Sequence, residues 1–106
     1  PDITIAEFVD KYIAHHPHRN FPVVGSSGLE GIITLRAVLS MDRNKWHWLH
    51  VSSVMEKTNT QNTVAPNFSA ADALEFMQKQ GRDCIMVAEH GKLLGIVDLK
   101  DLATYL

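Results

Sequence analysis

Apolar positions in this chain fall into two alternating rhythms, and the whole pattern comes twice. Phe8, Val9, Tyr12 and Ile13 are spaced as one face of a helix, placed over residues 6–15. Two runs of strand length follow, Phe21–Val24 and Leu29–Ile33, joined by the hairpin-type turn Gly25-Ser26-Ser27-Gly28. A short amphipathic helix with Leu35, Val38 and Leu39 closes the set. Downstream the order recurs: Ala73, Leu74 and Met77 at helical spacing over 70–79, then Cys84–Ala88, the turn Glu89-His90-Gly91-Lys92, Leu93–Val97, and a helix with Leu99 and Leu102. Thr4-x-x-Glu7 and Ser69-x-x-Asp72 mark the two helix starts, a hydroxyl to cap a free N–H and an acid at the positive helix end. Pro17 and Gly81 are the matching breakers. Extended pieces are expected ahead of the helices at Ile3–Ile5 and Thr63-Val64.

The two halves align residue by residue. Phe21-Pro22-Val23-Val24 lies over Ile85-Met86-Val87-Ala88 at an offset of 85 − 21 = 64, and Gly31–Leu39 then falls on Gly95–Ala103 without a gap. Upstream the offset is 69 − 4 = 65, so one extra residue sits near 15–19 in the first copy. Each copy therefore reads β-α-β-β-α, an α/β (α+β) unit. A unit of about 45 residues cannot bury both faces of its own sheet. Two such repeats packed sheet to sheet with pseudo-two-fold symmetry would solve that problem. The organisation expected is repeat 1 over 1–40, a linker over 41–62 and repeat 2 over 63–106. Val23, Val87, Ile33, Val97, Leu35 and Leu99 are expected in a shared core, and the polar stretch Thr58–Asn62 is expected to be mobile.

Composition narrows the function. With 106 residues, 45% hydrophobic and 21% charged, the chain has the make-up of a globular domain. No apolar run approaches the ~20 residues of a membrane helix, so no part is expected to insert into a bilayer. Ten Lys+Arg against twelve Asp+Glu leave a net charge of −2 with the bases scattered, which argues against a nucleic-acid partner. The chain begins at Pro1 and reads as a piece of something larger. Cys84, the one cysteine, lies in an apolar run and is expected to be a buried structural thiol in a reducing, cytoplasmic-type compartment. His15, His16 and His18 cluster near a helix end, and His47 and His50 lie three apart, but neither group supplies the three or four converging ligands of a zinc site. Walker, Rossmann and Gly-x-Ser-x-Gly motifs are absent, so no catalytic residues are assigned.

The order of capped helix, Phe21-Pro22-Val23-Val24, Gly turn, Leu29-x-Gly31-Ile32-Ile33-Thr34 and a Val51-x-x-Val54-Met55 linker resembles a tandem of cystathionine-β-synthase (CBS) domains, a Bateman module. The resemblance covers nearly the whole chain. The first half looks more specifically like CBS pairs attached to site-two-protease-like membrane zinc metalloproteases, through Val9-Asp10-x-Tyr12, His16-x-His18-Arg19-x-Phe21-Pro22-Val23, and Trp46 followed by Val51-Ser52-Ser53-Val54-Met55. What the resemblance implies is a non-catalytic regulatory module. It would form a homodimer, sit on the cytoplasmic side and serve an effector in the same polypeptide. It would need no cofactor, and would bind an adenosine-type ligand (AMP, ADP, ATP or S-adenosylmethionine) in clefts between the repeats.

Carried over position by position, the resemblance makes Thr4, Pro22, Val23 and Thr34, with Ser69, Met86, Val87, Asp98 and Asp101, the candidate ligand-binding residues. The family's pattern at the last strand-to-helix junction is Gly-h-x-[Thr/Ser]-x-x-Asp, the hydroxyl for phosphate and the Asp for ribose. This chain departs from it in both copies: Thr34 is followed by Ala37 where the acid belongs, and Asp101 is preceded by Asp98 where the hydroxyl belongs. Thr34 and Asp98 read equally as helix N-caps, and Asp101 as a first-turn acid. Trp46 and Trp48 either stack a base, fill a partner surface or pack beneath the linker. The rival reading is a purely structural dimerisation domain with empty clefts.

Overall fold

The structure, a computed structural model, describes residues 3–15 and 19–99. It is an α+β arrangement of two three-stranded sheets with helices, in two compact units. The first comprises Pro1–Ser26 and Glu30–Lys57, the second Ser27–Leu29 and Thr58–Leu106.

In the first unit, α1 spans Ile5–Lys11 and starts in a full capping box. Thr4 Oγ1 accepts from Glu7 N at 3.2 Å, and the Glu7 carboxylate accepts from Thr4 N at 3.1 Å. The bonds that Thr4 N and Thr4 Oγ1 donate to the Glu7 carboxylate, each at 3.1 Å, hold its carboxyl below its ordinary pKa, helped by the charges of Lys11 and His50. A single 3₁₀ turn, Ile13–His15, continues the helix that periodicity placed over 6–15. The strands β1 (Asn20–Gly25) and β2 (Gly28–Thr34) follow, then α2 (Leu35–Ser40). Ile5, Phe8, Val23, Ile33, Val38 and Val51 form the core, with Phe21 meeting Phe8 edge to face at 5.1 Å.

The stretch after α2 is more ordered than a linker pattern suggests. It contains a 3₁₀ turn at Arg43–Lys45, a one-turn helix α3 (Val51–Val54) and a two-residue strand β3 (Glu56–Lys57). That strand pairs antiparallel with β2, Gly31 opposite Lys57 and Ile32 opposite Glu56, giving the order β1-β2-β3. Ile3–Ile5, expected to be extended, is not a strand. Thr4 makes one isolated bridge to His50, and the chain turns into α1 at the next residue because Thr4 is its cap.

In the second unit, β4 (Thr63–Val64) runs parallel to β5 (Cys84–Glu89), which pairs antiparallel with β6 (Lys92–Asp98), in the order β4-β5-β6. Between β4 and β5 lies α4 (Ala70–Gln80), capped by Ser69 and ended by Gly81 in the left-handed region at φ 65°. The β5–β6 turn uses His90 and Gly91, both at positive φ (52° and 77°), as a tight hairpin of the primed type requires. Ala73, Met77 and Ile85 form this unit's core.

Each unit has its own cluster of buried residues. Two expectations are corrected. Val87, Val97 and Leu35 are only half-buried and Leu99 is 38% exposed, while Cys84, Ile85 and Met86 are the sealed residues of β5. Thr58–Asn62 is not loose: Asn62 is buried, its Oδ1 accepting from Asn59 N at 2.9 Å and from Thr63 Oγ1 at 2.7 Å. Its carbonyl accepts from Met86 N at 2.8 Å, so this polar run fastens the start of β4 to β5. Pro17, Asp101 and the closing helix with Leu102 lie outside the described residues.

Candidate functional site: two strand-to-helix junctions

Each unit fastens the end of its last strand with the same backbone device. Leu35 N donates to the carbonyl of Arg19 at 2.8 Å, and Leu99 N donates to the carbonyl of Asp83 at 2.8 Å. Both donors and both acceptors differ by 64 in number, so the junction is a repeated object. In each case the residue just before the hairpin's first strand accepts from the residue just after its second.

At the first junction Thr34 is extended (φ −105°, ψ 150°) and half-buried, and its Oγ1 accepts from Ala37 N at 3.1 Å. The cap role is therefore realised. It leaves the hydroxyl hydrogen to donate, so the cap does not use up the side chain. Helix α2 has six residues, and two of its leading N–H groups, those of Leu35 and Ala37, already have acceptors. The charged residues next to this junction are Arg19 and Arg36, both exposed.

At the second junction acids stand where the first has Thr34 and Arg19. Asp98 lies opposite Cys84 in the β5–β6 ladder, and Asp83 supplies the accepting carbonyl. Burial pushes the Cys84 thiol up to about 12, and the negative charges of Asp98 and then Asp83 push the same way, against Arg82. A thiol so shifted is inert, as its apolar run implied. Its shift also registers two carboxylates acting on one small region.

The other candidate residues divide by accessibility. Thr4 and Ser69 are both helix caps, Ser69 Oγ accepting from Asp72 N at 3.1 Å. Val23 and Met86 are buried, so their side chains back the sheet. Pro22 and Val87 are half-buried and keep some open surface. Met86 is flanked in the ladder by Thr63 and Ile96, and Val87 by Val64 and Gly95. Trp46 packs against the first core, whereas Trp48 is 63% exposed. Arg19 enters the sequence reading only within a resemblance, and Asp83 and Asn62 carry no site signal there of their own. Only the 64-residue offset could have exposed the first two, since it puts opposite charges at one repeated place.

At the far end of β5–β6 a cleft of about 330 Å³ is lined by Thr58, Thr60, Thr63, Ala88 and His90 among others. Among the described residues, no group of three or more His, Cys, Asp or Glu could hold a metal ion, and no helix is long and apolar enough to cross a membrane.

Comparison with known proteins matches the geometry. An uncharacterised 17.7 kDa protein of Acidianus ambivalens is 30% identical over 106 residues, 97% of this chain; the chain spans 62% of that relative's length. The CBS domain of a CBS-domain-containing membrane protein from Sphaerobacter thermophilus is 27% identical, with a TM-score of 0.75 over 99% of this chain and 78% of that one. The CBS domain of a bacterial CNNM/CorC family Mg²⁺ transporter, in complex with ATP, is 20% identical, with a TM-score of 0.79 over 96% of this chain and 72% of that one. The CBS domain family itself matches residues 1–44 and again 51–106. With the family matched twice, once on each hairpin and its junction, the chain belongs to the CBS domain family as a tandem pair.

Proposed function

We propose that this CBS pair is a non-catalytic regulatory module that senses an adenosine-type ligand at its strand-to-helix junctions on behalf of an effector in the same polypeptide. The observation that carries the reading is the duplicated junction, one backbone device holding opposite charge. The ATP-bound CBS domain of the Mg²⁺ transporter supports it by fold likeness. At the first junction, Thr34 and Arg19 favour an anionic group, but Ala37 has no carboxylate for a ribose. At the second, Asp98 and Asp83 oppose phosphate. At an effective dielectric near 20, a like charge nearby costs on the order of a kcal/mol or more. Free AMP then binds poorly to both junctions. Adenosine, S-adenosylmethionine or a Mg²⁺-screened ATP suits the second better, with Asp101 offering the ribose contact.

The effector proposed is a site-two-protease-like membrane zinc metalloprotease, with the module a homodimer on its cytoplasmic side. This rests on the first-half residues Val9-Asp10-x-Tyr12, His16-x-His18-Arg19-x-Phe21-Pro22-Val23, Trp46 and Val51–Met55. A His-Glu-x-x-His segment elsewhere in the same polypeptide would support it, and an unrelated catalytic domain would remove it.

Calorimetry tests the ligand reading. The parent is expected to bind AMP closer to millimolar than micromolar. Ala37→Asp and Asp98→Thr should each tighten AMP about tenfold or more, since a charge-assisted hydrogen bond contributes roughly 1.5–3 kcal/mol. Asp at position 37 also suits the first turn of α2, so the variant should fold. Low-micromolar AMP binding by the parent, or no gain from either change, overturns this assignment. If no nucleoside binds any of the three proteins, the structural dimerisation reading takes its place, with light scattering reporting the dimer.

A further inference from the structure

We propose that residues 42–50 dock this module on an anionic membrane surface, with Trp48 as the interfacial anchor and Arg43 and Lys45 as headgroup contacts. The two family matches end at residue 44 and resume at 51, so Lys45-Trp46-His47-Trp48-Leu49-His50 stands outside both. This excursion is nonetheless built firmly. Asp42 caps its 3₁₀ turn by accepting from Asn44 N at 3.0 Å, and Leu49 N donates to Lys45 O at 3.0 Å. Two carbonyls fasten it to the start of α1: Trp46 O accepts from Ala6 N and Leu49 O from Ile5 N, each at 2.8 Å. Trp46 and Leu49 pack on the core of the first unit, and the Arg43 guanidinium lies over the Trp46 ring at 5.1 Å.

With those two side chains turned inward, the loop holds Trp48 outward at 63% exposure, among exposed Arg43, Lys45 and His47. A large ring kept in water on an ordered turn loses little conformational freedom when it binds. Its surroundings choose the occupant. A protein hot spot sits within a wider desolvated apolar patch. Here the neighbours in sequence are cationic or polar, the mixture that places Trp and Lys/Arg side chains at the headgroup level of a bilayer. Asp42 within the loop, and Glu7 and Asp10 on the helix it is bonded to, are acids, so the attraction is modest and needs the ring as well as the charge. Nucleic acid is disfavoured because Trp48 is the one large ring this loop exposes, whereas single strands are held by several stacked in succession.

Flotation of this chain, without nucleotide, with vesicles of 70:30 phosphatidylcholine:phosphatidylserine and with pure phosphatidylcholine tests the proposal. The expected result is binding to the anionic vesicles only, with a blue shift of tryptophan emission and quenching by brominated lipid. Trp48→Ser should weaken it about tenfold or more, and Lys45→Gln about fivefold, as one cation near such a surface contributes about 1 kcal/mol. No flotation, equal flotation with both vesicles, or binding that Trp48→Ser leaves unchanged overturns it. So does a Trp48→Ser effect seen only as lost self-association without lipid. Because no nucleotide is present, the outcome is separate from that of the ligand reading.

Discussion

The hairpin β1–β2 and the hairpin β5–β6 are the same construction, yet their burial is reversed. In the first unit the third strand, Glu56–Lys57, joins antiparallel on the β2 side, so β2 is central and Gly31, Ile32 and Ile33 are buried. In the second unit the third strand, Thr63–Val64, joins parallel on the β5 side, so β5 is central and Cys84, Ile85 and Met86 are buried. The outer strand β6 is left with Leu94 and Ile96 at 53% and 37% exposure. Equivalent residues thus live in different surroundings: Ile32 is 5% exposed and its counterpart Ile96 37%. A repeat preserves the backbone plan, while the position of one added strand decides which copy of a residue is structural. The junctions add the same lesson in charge, Arg19 and Thr34 against Asp83 and Asp98.

The sharpest way to break this comparison is to shave equivalent isoleucines. Ile32→Ala should cost about 2–4 kcal/mol and Ile96→Ala under about 1 kcal/mol, read from urea unfolding followed by circular dichroism. Equal costs would mean that the third strand does not set burial. Next come two equivalent glycines. A Cβ at Gly31 would collide with the Glu56 carbonyl oxygen and press on Met55 Sδ, whereas one at Gly95 meets nothing. Gly31→Ala is expected to destabilise by about 1–3 kcal/mol through overpacking. Gly95→Ala should be neutral or slightly stabilising in a thermal melt, as Gly in a strand interior is entropically costly.

A pH signature is confined to the second unit. The folded Cys84 thiol titrates near 12 against 9.0 for the ordinary group. Its raised pKa means the neutral form is the stable one, so the contribution is whole below about pH 9 and is lost as pH rises toward 12. Between those limits the parent should lose up to about 1.4 kcal/mol per pH unit more than Cys84→Ala. Parallel curves from urea unfolding at pH 8 to 10.5 would contradict the buried, acid-flanked setting.

Much of the plan was legible because its local rules are strong. Thr4 and Ser69 cap as hydroxyls three residues before an acid should, His90-Gly91 turns as a two-residue hairpin should, and the alternation through Leu29–Ile33 and Leu93–Val97 names the strands. Glu56–Lys57 escaped because two exposed polar residues carry no alternation; only their ladder to Gly31 and Ile32 makes them a strand. Asn62 escaped for a related reason. Composition reads Thr-Asn-Thr-Gln-Asn as solvated, and it cannot show that one amide is satisfied by Asn59 and Thr63 and can therefore be buried. At the site, the hydroxyl and acid positions followed from the family pattern, but the opposing Arg19 and Asp83 lie just outside the strands, where hydrophobic rhythm is silent.

The bonds from Leu35 N to Arg19 O and from Leu99 N to Asp83 O have a consequence for motion. Amides just beyond the end of a strand usually face water and trade their hydrogens quickly. Here each is fastened across the hairpin to the residue that precedes its first strand. Neither can exchange until the two ends of its hairpin part company, so the two amides clock the opening of each unit separately. A ligand that grips one junction would slow its own clock and leave the other running, which lets a duplicated module report which of its two halves has been occupied.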